Sequence, residues 1–320
     1  MPSKVKKLRM VVQQEPVLQR LDKYCTTHCD SISRTIFSDK ETLIWVNGKS
    51  EKKSHLVKTG DVIELQYTVS FFEGVEPQDI PLDILYEDKD MLVINKKQGM
   101  VVHPANGNWD NTLVNALLFR YGTDFSTGGE DDEQDDEPSD VRPGIVHRLD
   151  KDTSGTMVIA RTRESHRNLA LQFKEHTNRK IYIALAKGTF AKKEGTITTG
   201  IRRSSSDRKK FCVCPQDEGR IACTDYQVLR QYPSCALVRV TLHTGRTHQI
   251  RVHLASLGHP IIGDSRYGQV KGEETLMLHS FSLSIDSPSS GERMTFRSPL
   301  PQRFKAWLIP HYAKKTAPSQ

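Results

Sequence analysis

The stretch Arg142-Pro143-Gly144-Ile145-Val146-His147-Arg148-Leu149-Asp150-Lys151-Asp152-Thr153-Ser154-Gly155 runs almost directly into the apolar segment Met157-Val158-Ile159-Ala160. Arg142, His147, Arg148, Asp150, Lys151 and Asp152 load the first part with ionisable side chains, and the apolar segment behind reads as a strand. Carboxylates set beside cations stay ionised, and so nucleophilic or basic. A solvated turn with local ion pairs is the bland alternative. Outward from this loop, Met91-Leu92-Val93-Ile94-Asn95 and residues 156–161, 181–186, 226–229 and 236–242 read as strands, while Leu113, Val114, Ala116, Leu117 and Leu118 suggest a buried helix. Strands dominate, which predicts an α+β fold with a mixed or antiparallel sheet rather than a doubly wound one.

A second cluster, Thr244-Gly245-Arg246-Thr247-His248-Gln249-Ile250-Arg251-Val252-His253, follows the strand ending near Leu242. Ile250, Leu254 and Leu257 recur at helical spacing, so a helix is expected from about Thr247. Arg246 would sit at the strand-to-helix junction, where free backbone N–H groups favour a phosphate or a carboxylate. His248 and Arg251 are three apart and share a face.

Residues 1–69 read as a separate small α+β unit with a basic N-terminal tail. Val17, Leu18, Leu21, Tyr24 and Cys25 are spaced as a helix, Asn47-Gly48 marks a tight hairpin, and Val62, Ile63, Leu65 and Tyr67 form a strand after the Gly60-Asp61 turn. Two short helices and a hairpin are expected there. Residues 70–81, with Gly74, Pro77 and Pro81, read as a linker, residues 82–312 as the larger unit, and 313–320 as a tail. A low-complexity acidic stretch at 127–140 reads as a surface loop, expected to be dispensable for chemistry.

The chain has 46 Lys and Arg against 39 Asp and Glu, for a net charge of +7. Seven of those acids lie between Glu130 and Glu137, so the rest of the chain sets 46 basic residues against 32 acidic ones. That imbalance favours a polyanionic partner, nucleic acid rather than membrane. No apolar run reaches the roughly 18 residues of a membrane span, and six cysteines in a chain of 320 residues point to reduced cytoplasmic thiols. Cys25-Thr26-Thr27-His28-Cys29 and Cys212-Val213-Cys214 lack the paired spacing of structural zinc. No phosphate-binding Gly-rich loop ending in Lys and Ser or Thr is present.

With both clusters in view, the sequence resembles the RluA family of RNA pseudouridine synthases over nearly its whole length. The 142–155 run is similar to that family's catalytic signature. Gly245 to His253 matches its second long motif, continued by Gly258-His259-Pro260-Ile261-Ile262-Gly263-Asp264, and Leu278-His279-Ser280 looks like the motif lining the base pocket. Val101-Val102-His103-Pro104-Ala105-Asn106-Gly107-Asn108 looks closest to the RluD branch, which modifies 23S ribosomal RNA. The small unit resembles an RNA-binding domain named after a ribosomal small-subunit protein, through Arg20-Leu21-Asp22, Ser33-Arg34-Thr35, Val46-Asn47-Gly48-Lys49 and Gly60-Asp61-Val62-Ile63.

The resemblance implies a cofactor-free, metal-free, cytoplasmic isomerase of ribosome biogenesis, acting as a monomer on RNA. It makes Asp150 the essential carboxylate, Tyr182 the residue that stacks on the base, and Arg148 the side chain that fills the space the flipped base vacates. The guanidinium beside Asp150 is expected to be that of Arg246, with Arg251 second. Leu278 would wall the pocket, while Arg34, Lys96, His103, Arg208 and Lys209 would contact RNA. Two other classes remain open on the residues alone. One is a non-catalytic RNA-binding ribosome-assembly factor, and the other a nuclease holding a metal on Asp150 and Asp152.

Overall fold

The computed structural model describes residues 4–13, 19–29, 32, 36–37, 41–69, 75–104, 108–122, 125, 143–207, 209–270, 272 and 274–313. The acidic stretch 127–140, Arg34, Arg142, Arg208 and the tail after Ala313 lie outside them.

In the small unit, β1 (Lys4–Val11), β2 (Gln19–Arg20), α1 (Leu21–His28), β3 (Leu43–Val46), β4 (Lys49–Ser50), β5 (Leu56–Val57) and β6 (Val62–Val69) follow in order. A four-stranded antiparallel sheet, β1-β6-β3-β4, packs Ile44, Val46, Ile63, Leu65 and Tyr67 with Leu21, Tyr24 and Cys25 of α1. The hairpin at Asn47-Gly48 has positive φ at both residues. The Asn47 amide donates to Asp61 and its carbonyl accepts from Val62 N–H, so one side chain joins the two turns. Where a basic tail was expected, Lys4 to Val11 is a strand paired along the whole of β6. Leu8, Met10 and Val12 alternate toward the core, a period masked in the sequence by Lys4, Lys6, Lys7 and Arg9. Of the two helices expected, α1 is the one among the described residues.

The larger unit runs β7 (Ile84–Glu87), β8 (Met91–Lys96), α2 (Leu113–Tyr121), β9 (Ser154–Ala160), α3 (Arg163–Lys174), β10 (Arg179–Lys187), β11 (Glu194–Arg203), β12 (Phe211–Cys214), β13 (Arg220–Gln231), β14 (Cys235–Leu242), α4 (Gln249–Ser256), β15 (Leu278–Asp286), β16 (Arg293–Arg297) and α5 (Gln302–Ala313). Its sheet is ordered β12-β11-β13-β14-β10-β15-β9-β8-β7, with β16 beside β15. Strands outnumber helices and pair antiparallel, except where β15 meets β9, so the class is α+β. Part of the expected linker is docked on this unit. Val75 joins the main core, Gln78 N–H donates to Asn115 O, and the Asn115 amide donates to Glu76 O. Among the described residues no helix is long and apolar enough to cross a membrane.

The parallel contact fixes the site. It spans only His279 beside Ser154 and Ser280 beside Gly155. Gly155 has φ +118°, and a Cβ there would collide with the Ser280 carbonyl. On its other side β15 sets Ser280 opposite Tyr182 of β10, at an irregularity between Ile181 and Tyr182. Three strands thus bring the end of the charged loop, Leu278 and Tyr182 to one edge.

Two predictions follow from this packing. Gly155→Ala should lower the unfolding free energy by at least about 2 kcal/mol, since strain at positive φ and a backbone collision add. A urea titration within about 0.5 kcal/mol of wild type would refute the seam as a tight constraint. The second concerns His253, between Thr199 and Thr224, and His279, between Ser154 and Ser298; neither is exposed. Burial pushes both down to about 4. Between an unfolded value near 6.5 and that folded value, the unfolded chain takes up protons that the folded protein refuses, so stability falls on acidification. By pH 5 the loss should be on the order of 1–2 kcal/mol per histidine. A urea midpoint that does not move between pH 7 and 5 would contradict this.

Candidate active site

The charged loop is pinned from two sides. Gly144 O accepts from Ala160 N–H, and the His147 ring accepts from Val158 N–H at 3.0 Å while stacking on Phe173. Burial, then the charge of Lys180, pushes His147 down to about 3, so it stays a neutral acceptor. From beneath, Lys96 donates to Met100 O at 2.7 Å, Lys97 O at 3.1 Å and Lys151 O at 3.2 Å. Gly99 N–H also reaches Lys151 O, and the Gln98 amide ties Asp152 O to Leu276 O.

Lys96 was expected to line an RNA groove. It is instead 1% exposed, its ammonium consumed by carbonyls under the loop. Burial pushes it down to about 8, against the opposing pull of Asp150 and Asp152.

Asp150 emerges half-buried into a cavity of about 130 Å³, lined also by His103, Arg148, Phe173, His176, Lys180, Tyr182, Arg246, His248, Arg251 and Leu278. The guanidinium beside Asp150 belongs to Arg251, whose Nη1 donates to Asp150 Oδ2 at 3.0 Å. Arg246, the expected partner, turns away and donates through Nε to Ile221 O of β13. The reason is the helix. α4 starts only at Gln249, capped by His248 in the left-handed region at φ 57°, so its first turn aims His248 and Arg251 at the loop. Arg246 lies two residues before the His248 cap, outside that turn. His248 Nε2 stands 3.8 Å from Asp150 Oδ2.

Arg251 is itself fixed from behind. Its Nε and Nη2 form a two-pronged pair with fully buried Asp264 at 2.8 and 2.9 Å, leaving Nη1 for Asp150. Burial works against the charge of both groups. The hydrogen bonds between them outweigh it, holding Arg251 above and Asp264 below their ordinary values. Sequence reasoning missed Asp264, which stands at the end of the Gly258 to Asp264 motif.

Tyr182 is buried against the same cavity. Burial raises its hydroxyl, with Asp150 adding to the effect and a Ser280 hydrogen bond opposing it. Arg148 is exposed at the rim and Leu278 forms part of the wall. Asp152 points to solvent and does not line the cavity, so the two carboxylates of a nuclease reading are parted. Lys209 is exposed on the turn before β12, where its carbonyl accepts from Arg266. Nearby, Arg202 is paired with Glu218 at 2.7 Å. Lys180 lines the cavity without having been singled out. Its signal was the strand period, two residues before Tyr182 on the same face.

The family described as RNA pseudouridylate synthase matches residues 90–256. A relative from Aquifex aeolicus, named an uncharacterized RNA pseudouridine synthase, is 42% identical over 311 residues, covering 92% of this chain and 95% of its own. The ribosomal large subunit pseudouridine synthase D of Pseudomonas aeruginosa is 37% identical, with 91% of each chain covered. The solved structure of human RNA Pseudouridylate Synthase Domain Containing 1 aligns with a TM-score of 0.54 at 26% identity, over 76% of this chain and 98% of that one. A cavity built around one loop carboxylate, the family match across it and relatives this similar end to end lead to one conclusion: the chain belongs to the RNA pseudouridylate synthase family and is an RNA pseudouridine synthase.

Proposed function

We propose that this enzyme isomerises uridines of the large-subunit (23S) ribosomal RNA, with Asp150 as the essential group. The observation that carries the catalytic part is the carboxylate of Asp150, held at the cavity by Arg251 with Tyr182 and Leu278 around it. The large-subunit target is supported by relatives named ribosomal large subunit pseudouridine synthase D. On this reading the enzyme works on RNA in cytoplasmic ribosome biogenesis.

In the reaction, the bond from ribose C1′ to N1 of uracil breaks, a bond from C1′ to C5 forms, C5 loses a proton and N1 gains one. A carboxylate can attack the ribose, add to the ring or remove a ribose proton, and the proposal is that Asp150 performs this step. Arg251 orients it through a charge-assisted bond, and Asp264 keeps that arginine from swinging. On this reading Tyr182 stacks on the extruded base, Leu278 walls the pocket, and Arg148 enters the vacated stack; all three line the cavity. The exposed Lys49, Lys52, Lys53 and Lys58 of the small unit supply backbone contacts.

Asp150→Asn should reduce single-turnover release of tritium from carbon 5 of uridines to background, with RNA affinity changed by less than about tenfold. Asp152→Asn should keep most activity. Wild-type turnover by folded Asp150→Asn would sink the assignment, and mapping pseudouridines in ribosomal RNA from a deletion strain tests the substrate. A further prediction separates the two arginines. Arg251→Met strands a buried carboxylate, so it should cost about 3–5 kcal/mol of stability as well as turnover. Arg246→Met should cost less than about 1 kcal/mol. Equal losses in urea unfolding would mean that Arg251 is not the buried bridge.

A further inference from the structure

The cavity is electrically lopsided. Asp150 and its cation Arg251 lie on one side. On the other stand Lys180 and Arg246, and no described carboxylate forms an ion pair with either. Lys180 is 7% exposed, yet among the described residues it makes no hydrogen bond and no ion pair through its side chain. Its ammonium lies 5.8 Å from the centroid of the Phe173 ring, and a Cβ added at Gly245 would lie 3.6 Å from the nitrogen. Gly245 adjoins Arg246, so the two cations share one corner.

Both pay for it in solvation: burial first, and Arg246 second, pushes Lys180 down to about 8. Burial, then Arg220, also lowers Arg246, while His176 is lowered by burial and by both cations. Nothing in the fold is gained by burying an ammonium beside a guanidinium without an anion. Such a corner is completed by an anion from outside.

We propose that Lys180 and Arg246 form a seat for one phosphate group of the RNA backbone adjoining the target uridine. The geometry fits a nucleotide lying along β10. Lys180 and Tyr182 face the same way on one strand, about 7 Å apart, a step comparable to that between a nucleobase and its own phosphate. Arg246 supplies a planar donor fork and Lys180 a point charge, the two ways a protein holds phosphate. This seat rests on the reading that the Asp150 side receives the uridine. It gives Arg246, turned away from Asp150, a role in binding.

The test is ligand-observed NMR titration of the full-length protein, in phosphate-free buffer, with uridine, uridine 5′-monophosphate and uridine 3′-monophosphate. Wild type should bind at least one monophosphate about tenfold or more tightly than uridine, and the better one identifies which flanking phosphate is held. Lys180→Met should abolish that margin and leave uridine affinity unchanged, whereas Lys180→Arg should keep it. If Lys180→Met does not fold, Arg246→Gln reads the same margin. A wild type without the margin, or a Lys180→Met protein that keeps it, overturns the proposal. Asp150→Asn serves as the separating control, since it should retain the margin. An Asp150→Asn protein that still releases tritium would remove the catalytic reading while leaving the phosphate seat in place.

Discussion

The site depends on one close approach, Gly155 of β9 against the Ser280 carbonyl of β15. A parallel contact only two residues long would be a weak ladder by itself. It holds because the surrounding antiparallel pairs, β8 with β9 and β10 with β15, are long and buried. Any side chain at 155 would push the strands apart by the width of a methyl group. The charged loop would then leave the edge where Leu278 and Tyr182 stand, and the helix carrying Arg251 would face an empty corner.

Around that seam the protein distributes charge unevenly. Arg251 is shared by a buried carboxylate that never meets solvent and a half-buried one that faces the cavity. The buried partner fixes position, and the exposed one is left for chemistry. Lys96 and Lys180 are both buried lysines pushed down to about 8, with different settings. Lys96 is surrounded by three carbonyls. Lys180 faces an aromatic ring and another cation. The first is an internal fastening, while the second leaves an unmet electrostatic demand open to the cavity.

Much of this was legible in the residues. The apolar periods of β8, β9, β10, β13 and β14 located the large sheet, and the loop before β9 marked the site. The helical face argument put His248 and Arg251 together, and they do converge on Asp150. The arginine partner was nonetheless misjudged, because a start of α4 at Gln249 rather than near Thr247 decides which guanidinium turns inward. No sequence rule sets that offset: it comes from a histidine held in a left-handed conformation. Lys96, beside exposed Lys97, reads as basic surface until the 96–100 turn is seen to fold under the loop. Strand β1 was hidden because four of its first six residues, Lys4, Lys6, Lys7 and Arg9, are basic. Asp264 carried no signal, since its partner lies thirteen residues away across a turn.

The fastening by Lys96 acts through main-chain oxygens, two from its own turn and one from Lys151. A carbonyl is the same whichever residue bears it. At Lys151 and Asp152 the loop's path is therefore insulated from the identity of its side chains, and those two positions can change without dragging Asp150 out of place. Shape is conserved by one buried lysine, and the outward-facing chemistry of the loop is left to vary with the RNA it must meet.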